Sequence, residues 1–363
     1  MTKKRVRSRI ALGAFAMAIA LAGCAKQTPL EAKYPASDCR RVDIVDQATG
    51  QAIRGAEDMA LDPASGRLFI SAYDRRAVEK AIGRRAFSIP EGGVYAIPFS
   101  RLLDDGASTV NAASIVRPDD VAGGLRPHGL AFDPDTNEIA FINRGYQRIN
   151  GKWRLTTRIE RVGSNGEVFV GADKPAPCAS NNLIVNGAET LISFDHAACN
   201  WRAGIEDMFD MKRSGVSDEA GRRLFDHVSF ANGIVKLKTR EIALAATRED
   251  ALIVLDETAS GLHSEERIEL PGGPDNLTLA ADGGVVAAVH PSMLRIALSR
   301  RLGIGKAPSR IVKVDPGARA VSILFDDPTG KVFSAATVGV ERDGALVAGS
   351  VTDEGLLVCK APA

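Results

Sequence analysis

The chain has 363 residues, 45% hydrophobic and 25% charged, with a formal net charge of +1. That is enough apolar material to bury a sizeable core, in one large domain or two small ones. A balance this close to neutral gives no electrostatic footing on nucleic acid, and beyond the first residues no apolar run is long and uncharged enough to span a membrane.

The start of the chain reads as an export signal. Lys3, Lys4, Arg5, Arg7 and Arg9 form a basic head, Ile10 to Leu21 is a short apolar run, and Leu21-Ala22-Gly23-Cys24 follows. The last four residues resemble a bacterial lipobox. On that reading 1–23 is a signal peptide and Cys24 is the lipidated first residue of the mature protein. The alternative is an ordinary cleaved signal with a stray cysteine. Ala25 after the cysteine points to the outer membrane, facing the periplasm, so one expected partner is the membrane of the bacterial cell envelope. Loss of the five basic residues, with no acidic one, takes the formal charge from +1 to −4. Residues 24–37 read as a linker and 38–363 as the folded domain.

Cys39, Cys178, Cys199 and Cys359 remain. Four cysteines in an exported chain predict two disulfides, with three connectivities open. If Cys39 pairs with Cys359, the bridge clasps the two ends together, and chain entropy alone assigns so long a loop roughly 5–6 kcal/mol. Cys178 and Cys199 then pair locally.

From Glu57 onward the texture repeats. Glu57-Asp58-Met59-Ala60-Leu61 turns at Asp62 to Gly66 and returns as Leu68 to Ser71. His128 to Phe132 returns as Ile139 to Ile142, Asn181 to Val185 as Thr190 to Ser193, and Asn232 to Val235 as Ile242 to Ala245. Asp275 to Leu279 returns as Val285 to Ala288, and a looser copy runs from Ala336 to Gly349. Short alternating strands separated by Asp, Asn and Gly turns are hairpins, and their recurrence every roughly 45–70 residues predicts a propeller-type array. The expected fold is therefore an all-β, six-bladed β-propeller closed by its N- and C-terminal strands, with Leu356 to Cys359 beside the strand around Cys39. Outer strands are expected at 94–97, 158–162, 251–255 and 310–314. Two stretches break the pattern. Arg75 to Pro90 reads as a basic loop over one face, and Ile205 to Phe225, with helical spacing, as a short helical insertion.

Inner strands of such an array begin at one end of a central channel, so the residues at their starts are informative. Here they are Glu57-Asp58, His128, Asn181-Asn182, Asn232 and Asp275-Asn276. Carboxylate and amide oxygens without cysteine suit a hard cation, calcium above all. Neighbours in a strand point to opposite faces, so Glu57 is expected to hold an ion facing the substrate and Asp58 a second one deeper in the ring. A satisfied polar channel without metal is the alternative.

Taken in order, Gly-Ala-Glu-Asp (55–58), Pro-His-Gly-Leu (127–130), Ser-Asn-Asn-Leu-Ile-Val (180–185), Phe-Ala-Asn-Gly-Ile (230–234), Pro-Asp-Asn-Leu (274–277) and Val-His-Pro (289–291) resemble the paraoxonase/arylesterase family over about Cys39 to Cys359. The resemblance implies a six-bladed propeller with two calcium ions that hydrolyses lactones and often aryl esters, small molecules being the expected substrates. It places a catalytic calcium on Glu57, Asn181, Asn232, Asp275 and Asn276. A structural calcium falls on Asp58, the backbone oxygen of Leu130 and Asn182. His128 is implied as general base towards water, a role that suits a side chain titrating near neutrality, with Asp275 assisting and His290 on the pocket wall. The terminal cysteines fall where the family closes its ring.

Three departures stand out. Asn182 replaces an aspartate of the structural site. Arg144 falls where the family has a second histidine; arginine cannot relay a proton but can bind an anion or stabilise an oxyanion. Val289 stands where the family has a free cysteine. The sequence holds no Gly-x-Ser-x-Gly, no His-Glu-x-x-His and no complete phosphate loop; Gly303-Ile304-Gly305-Lys306 is a fragment. His196 and His227 read as structural. The expected function is a calcium-dependent lactonase or arylesterase. The alternatives are a sugar lactonase of the gluconolactonase type and a non-catalytic propeller that binds a ligand or protein.

Overall fold

The computed structural model describes residues 28–167, 174–186, 189–238 and 240–361; the expected signal segment and Cys24 lie outside them. Each hairpin expected from alternation and turn chemistry forms, from Ala56–Leu61 against Arg67–Ala72 to Ala336–Arg342 against Ala345–Ser350. The architecture is all-β and propeller-like, with four four-stranded sheets and one eight-stranded sheet among the described residues. The inner strands Ala56–Leu61, Pro127–Asp133, Ser180–Asn186, Ala231–Lys236, Gly273–Leu279 and Ala336–Arg342 each pack against the next, and the last returns to the first. They close a ring around a hub, and the apolar core fills the spaces between neighbouring sheets.

The ends meet as expected. Leu356–Lys360 pairs antiparallel with Cys39–Asp46, with Cys39 opposite Cys359, and a disulfide joins the two cysteines across 320 residues of chain. Cys178 is bonded to Cys199. Cys39–Asp46 also pairs in parallel with Thr109–Val116, which merges two groups of strands into the eight-stranded sheet.

Every inner strand carries a register shift at its polar start: between Ala56 and Asp58, Pro127 and Leu130, Ser180 and Leu183, Ala231 and Ile234, Pro274 and Leu277, and Ala336 and Val338. A bulge re-aims side chains and suspends the simple alternation of a strand. This is why Glu57 and Asp58, although neighbours, are both buried at the hub, as are Asn181 and Asn182. Gly129 and Gly233 let adjacent strands approach there. A Cβ on Gly129 would lie 2.4 Å from the Asn182 Cα, and one on Gly233 2.5 Å from the Asp275 carbonyl oxygen.

Three segments differ from expectation. The basic stretch after Asp74 begins as a helix, Arg75–Gly83, because the Asp74 side chain accepts from the Ala77 N–H and caps it. In the 205–225 stretch only Ala203–Met208 is helical. Ser214–Ser217 and Arg223–Val228 are outer strands joined by a turn in which Asp218 accepts from the Arg222 N–H. The apolar spacing there is shared by helix and strand, and pairing with Glu189–Phe194 decides it. Finally, the end of the expected linker belongs to the fold. Lys33 and Tyr34 donate backbone N–H groups to the carbonyls of Ile323 and Leu324, and the fully buried Tyr34 ring donates its hydroxyl to Glu341.

Candidate active site

The bulged starts converge on one end of the hub and floor a pocket of about 180 Å³, into which Glu57, His128, Asn181, Asn232, Asp275 and His290 all face. Larger hollows exist, among them one of about 530 Å³ near Arg223 and His227 and one of about 730 Å³ beside the Arg75–Gly83 helix. The hub pocket is smaller and chemically dense.

At its centre is Glu57. The Arg75 Nη2 lies 2.7 and 2.8 Å from its two oxygens, and His128 Nδ1 lies 2.6 Å from Oε2. Burial by itself would raise the Glu57 pKa; Arg75 and then His128 outweigh it and bring the group down to about 2. Glu57 is thus a buried carboxylate anion. His128 is driven the other way, to about 4, by burial and by the positive charges of Arg144 and Arg75, against the pull of Glu57. It is a neutral imidazole at neutral pH. Its Nδ1 lies 2.6 Å from Glu57 Oε2 and 2.9 Å from Arg75 Nη2, and its Nε2 has only a marginal contact, 3.5 Å to Arg75 Nη2.

Opposite stands a second carboxylate–imidazole pair. Asp275 Oδ2 is 2.7 Å from His290 Nε2, and Asp275 Oδ1 accepts from the Asn232 amide at 2.6 Å. Asn276 donates to the Glu57 carbonyl at 2.9 Å, and Thr337 donates its hydroxyl to the same oxygen at 2.8 Å. These bonds lock neighbouring inner strands together at the level of the site. Arg144 lines the wall.

The oxygen set expected for a catalytic calcium is assembled only in part, and both Glu57 oxygens are held by Arg75. Glu57, Asn181, Asn232 and Asp275 line the pocket with carboxylate and amide oxygens suited to a hard cation, whereas the Asn276 Oδ1 accepts from the Asn182 amide at 3.0 Å. The Asn232 Oδ1 is buried without a hydrogen-bond partner, and an orphaned acceptor costs free energy unless a donor or cation satisfies it. The deep site is different. Asp58 Oδ1 accepts from the Met59 N–H, and Oδ2 from the Leu130 N–H and the Asn182 amide. Leu130 meets the carboxylate through its N–H. Asn182 uses its Oδ1 on the Leu183 N–H at 2.7 Å, so its amide nitrogen faces inward and bridges Asp58 and Asn276 at 3.1 and 3.0 Å. Donors, not oxygens, surround Asp58. Burial pushes it up to about 8 although the two backbone N–H groups pull it down. These groups do not fit a second cation, and the amide bridge ties the strands together there.

Sequence reasoning missed Arg75. Arg75 follows directly on the helix cap at the end of an inner hairpin, a position that aims it back at the strand starts. His196, which also lines the pocket, is held between Asp195 (2.7 Å) and Asp207 (3.1 Å). His227 sits on an outer strand with its side chain 79% exposed.

No protein-family model matches the chain, and no curated protein matches it in sequence. Among solved structures it is similar to a candidate gluconolactonase from a structural-genomics consortium (13% identity, 89% of this chain and 91% of that one, TM-score 0.48). It is also similar to a gluconolactonase from Xanthomonas campestris (14%, 93% and 100%, 0.46) and to a protein of unknown function from Bacteroides caccae (13%, 80% and 90%, 0.46). At such identities and scores the chemistry of the site itself has to carry the function.

Proposed function

We propose that this chain hydrolyses lactones and carboxylic esters, aryl esters among them, in the hub pocket and with calcium as cofactor. The observation that carries the reading is a buried neutral imidazole, held on a carboxylate, beside an orphaned buried amide oxygen at the floor of a pocket. Glu57, Asn181, Asn232 and Asp275 would hold the ion. When bound, calcium supplies a Lewis acid for the carbonyl oxygen.

The residues of the chain supply the rest. Glu57 orients His128 through Nδ1, and Nε2 takes a proton from the attacking water. Water oxygen bonds to the carbonyl carbon, the ring or ester C–O bond breaks, and the proton passes to the departing alkoxide. The product is a hydroxy acid, or an acid and an alcohol. Arg75 fixes the carboxylate of Glu57 in place. Asp275, tied to His290, keeps the opposite wall polar.

Within the same reading, the eight-stranded sheet counts as two blades joined by the parallel pair at Cys39–Asp46, which gives six blades in all. Export and lipid anchoring at Cys24 in the cell envelope complete it, and mass spectrometry of the mature N-terminus tests that part. The function is tested by titrating acid release from a panel of aliphatic lactones, sugar lactones and aryl esters, with calcium and with excess chelator. Turnover of at least one class, abolished by chelator, is expected. Calcium binding without turnover of any of them would leave a binding propeller in its place.

A further inference from the structure

The charges around the pocket do not cancel, and the surplus is positive. Each acidic side chain on the wall already has a cationic or donor partner. Glu57 holds Arg75 and His128, and Asp275 holds His290 and Asn232. Asp195 and Asp207 share His196, and Asp207 also takes Arg248 at 3.0 Å. Arg144 and Arg300 have no such partner in the pocket. Among the described residues, the one side-chain hydrogen bond of Arg144 is 3.5 Å long, to the Ser180 carbonyl. Arg300 comes no nearer to a carboxylate than 4.0 Å, from its Nε to Glu79, and that buried Nε has no hydrogen-bond partner. Its neighbour Arg301 lines the same wall. Arg144 and Arg300 approach from different sides, one from the strand Glu138–Ile149 and the other from the turn after Met293–Ala297, and both act electrostatically on Glu57.

We infer that the pocket takes an anionic substrate: a lactone or ester that carries a separate carboxylate, seated on Arg144 and Arg300 while the scissile carbonyl lies over Glu57 and His128. Guanidinium groups match carboxylates geometrically and lose little hydration on pairing. With the acids of the wall already engaged, an entering carboxylate finds free donors and no unpaired like charge. Neutral lactones lack the group that would satisfy Arg300 Nε. The inference rests on the hydrolase reading for the scissile bond, and the seat for the carboxylate stands on the arginines alone.

The experiment compares matched substrates and a product analogue. Hydrolysis of a γ-lactone bearing a ring carboxylate is measured against its methyl ester, at low and high salt, for the wild type, Arg144→Gln and Arg300→Gln. The wild type is expected to prefer the charged lactone in kcat/KM. Each substitution is expected to reduce that preference at least tenfold, since a hydrogen bond to a charged group is worth roughly 1.5–3 kcal/mol. Arg144→Lys is expected to restore part of it. In parallel, calorimetry follows binding of 2-hydroxyglutarate, which needs no turnover, and thermal unfolding checks that each variant folds. Binding of hydroxyglutarate weakened at least tenfold in both glutamine variants, with no lactone hydrolysed, would keep the anion seat and remove the hydrolase reading. Hydrolysis of charged and neutral lactones at equal kcat/KM would overturn the anion seat and keep the hydrolase. A preference that survives both substitutions overturns it as well.

Discussion

His128 and His196 line the same pocket, and each touches a carboxylate, yet their surroundings drive them in opposite directions. His128 is brought down to about 4 and His196 up to about 10. Burial lowers both. The difference lies in where the other charges sit. His128 has one carboxylate, and that carboxylate is already neutralised by Arg75, with Arg144 nearby. His196 lies between two carboxylates, Asp195 and Asp207, and the arginine of its network, Arg248, bonds only Asp207 of the two, on the same oxygen as His196. A carboxylate beside a histidine therefore does not by itself make a catalytic pair. Where a competing cation has taken the charge, the imidazole stays neutral and can accept a proton. Where two carboxylates flank the ring and only one of them also holds an arginine, the imidazole is a fixed cation that braces the wall.

The comparison can be broken most strongly at Glu57. Glu57→Gln removes the charge that orients His128 and one carboxylate of the cation set. Turnover is expected to fall by about 10²–10⁴, the range for loss of a positioned acid–base group, and calcium binding measured by calorimetry is expected to weaken with it. An unchanged calcium isotherm would remove Glu57 from the set.

The bracing role of His196 predicts a pH signature. Its folded pKa of about 10 lies above the ordinary 6.5, so its stabilisation is complete below about pH 6.5 and disappears as pH rises through about 10. His196→Gln should therefore lose on the order of a few kcal/mol at pH 6 and progressively less towards pH 10. A loss independent of pH would mean that the charge of His196 does nothing for the fold.

Arg75 spans both oxygens of Glu57, the group the cation needs. Arg75→Gln should tighten calcium binding by about tenfold, the equivalent of ~1.4 kcal/mol of relieved competition, even as activity falls because Glu57 is less firmly held. Weaker calcium binding in that variant would show that the guanidinium organises the site without competing for it. The smallest effect is expected at His128 in acid. With chelator present, its lowered pKa makes the wild type lose stability as pH falls from about 6.5 towards 4, the reverse slope to His196. His128→Gln should flatten that slope.

Much of this was legible in the sequence. The hairpins announced themselves through alternating strands and turn residues, as at Asp62 to Gly66, and the polar strand starts marked the hub, because both signals are local. The clasp from Cys39 to Cys359 followed once the ends were expected to meet. The bulges were not legible, since a register shift is fixed by the pairing of two strands. Alternation placed Glu57 towards the pocket and Asp58 deeper, as the structure has them, but it did not show the shift that turns both starts into the hub. The inward reach of Arg75 was hidden for a similar reason: a basic stretch looks like surface until the Asp74 cap fixes where the helix begins. Asn182 was visible as a departure, but the direction of its amide depended on the Leu183 N–H, a detail of backbone geometry. The stretch 205–225 was misread because its apolar spacing suits a helix as well as two strands, and only the neighbouring strand decides.

The most direct measurement sets wild type and His128→Gln side by side in lactone ring opening at pH 7.5 and saturating calcium, with thermal unfolding showing both folded. A fall in kcat of at least about 100-fold, with calcium affinity unchanged, is the expected result for a neutral imidazole that takes the proton from water. Equal rates in the two proteins would contradict it.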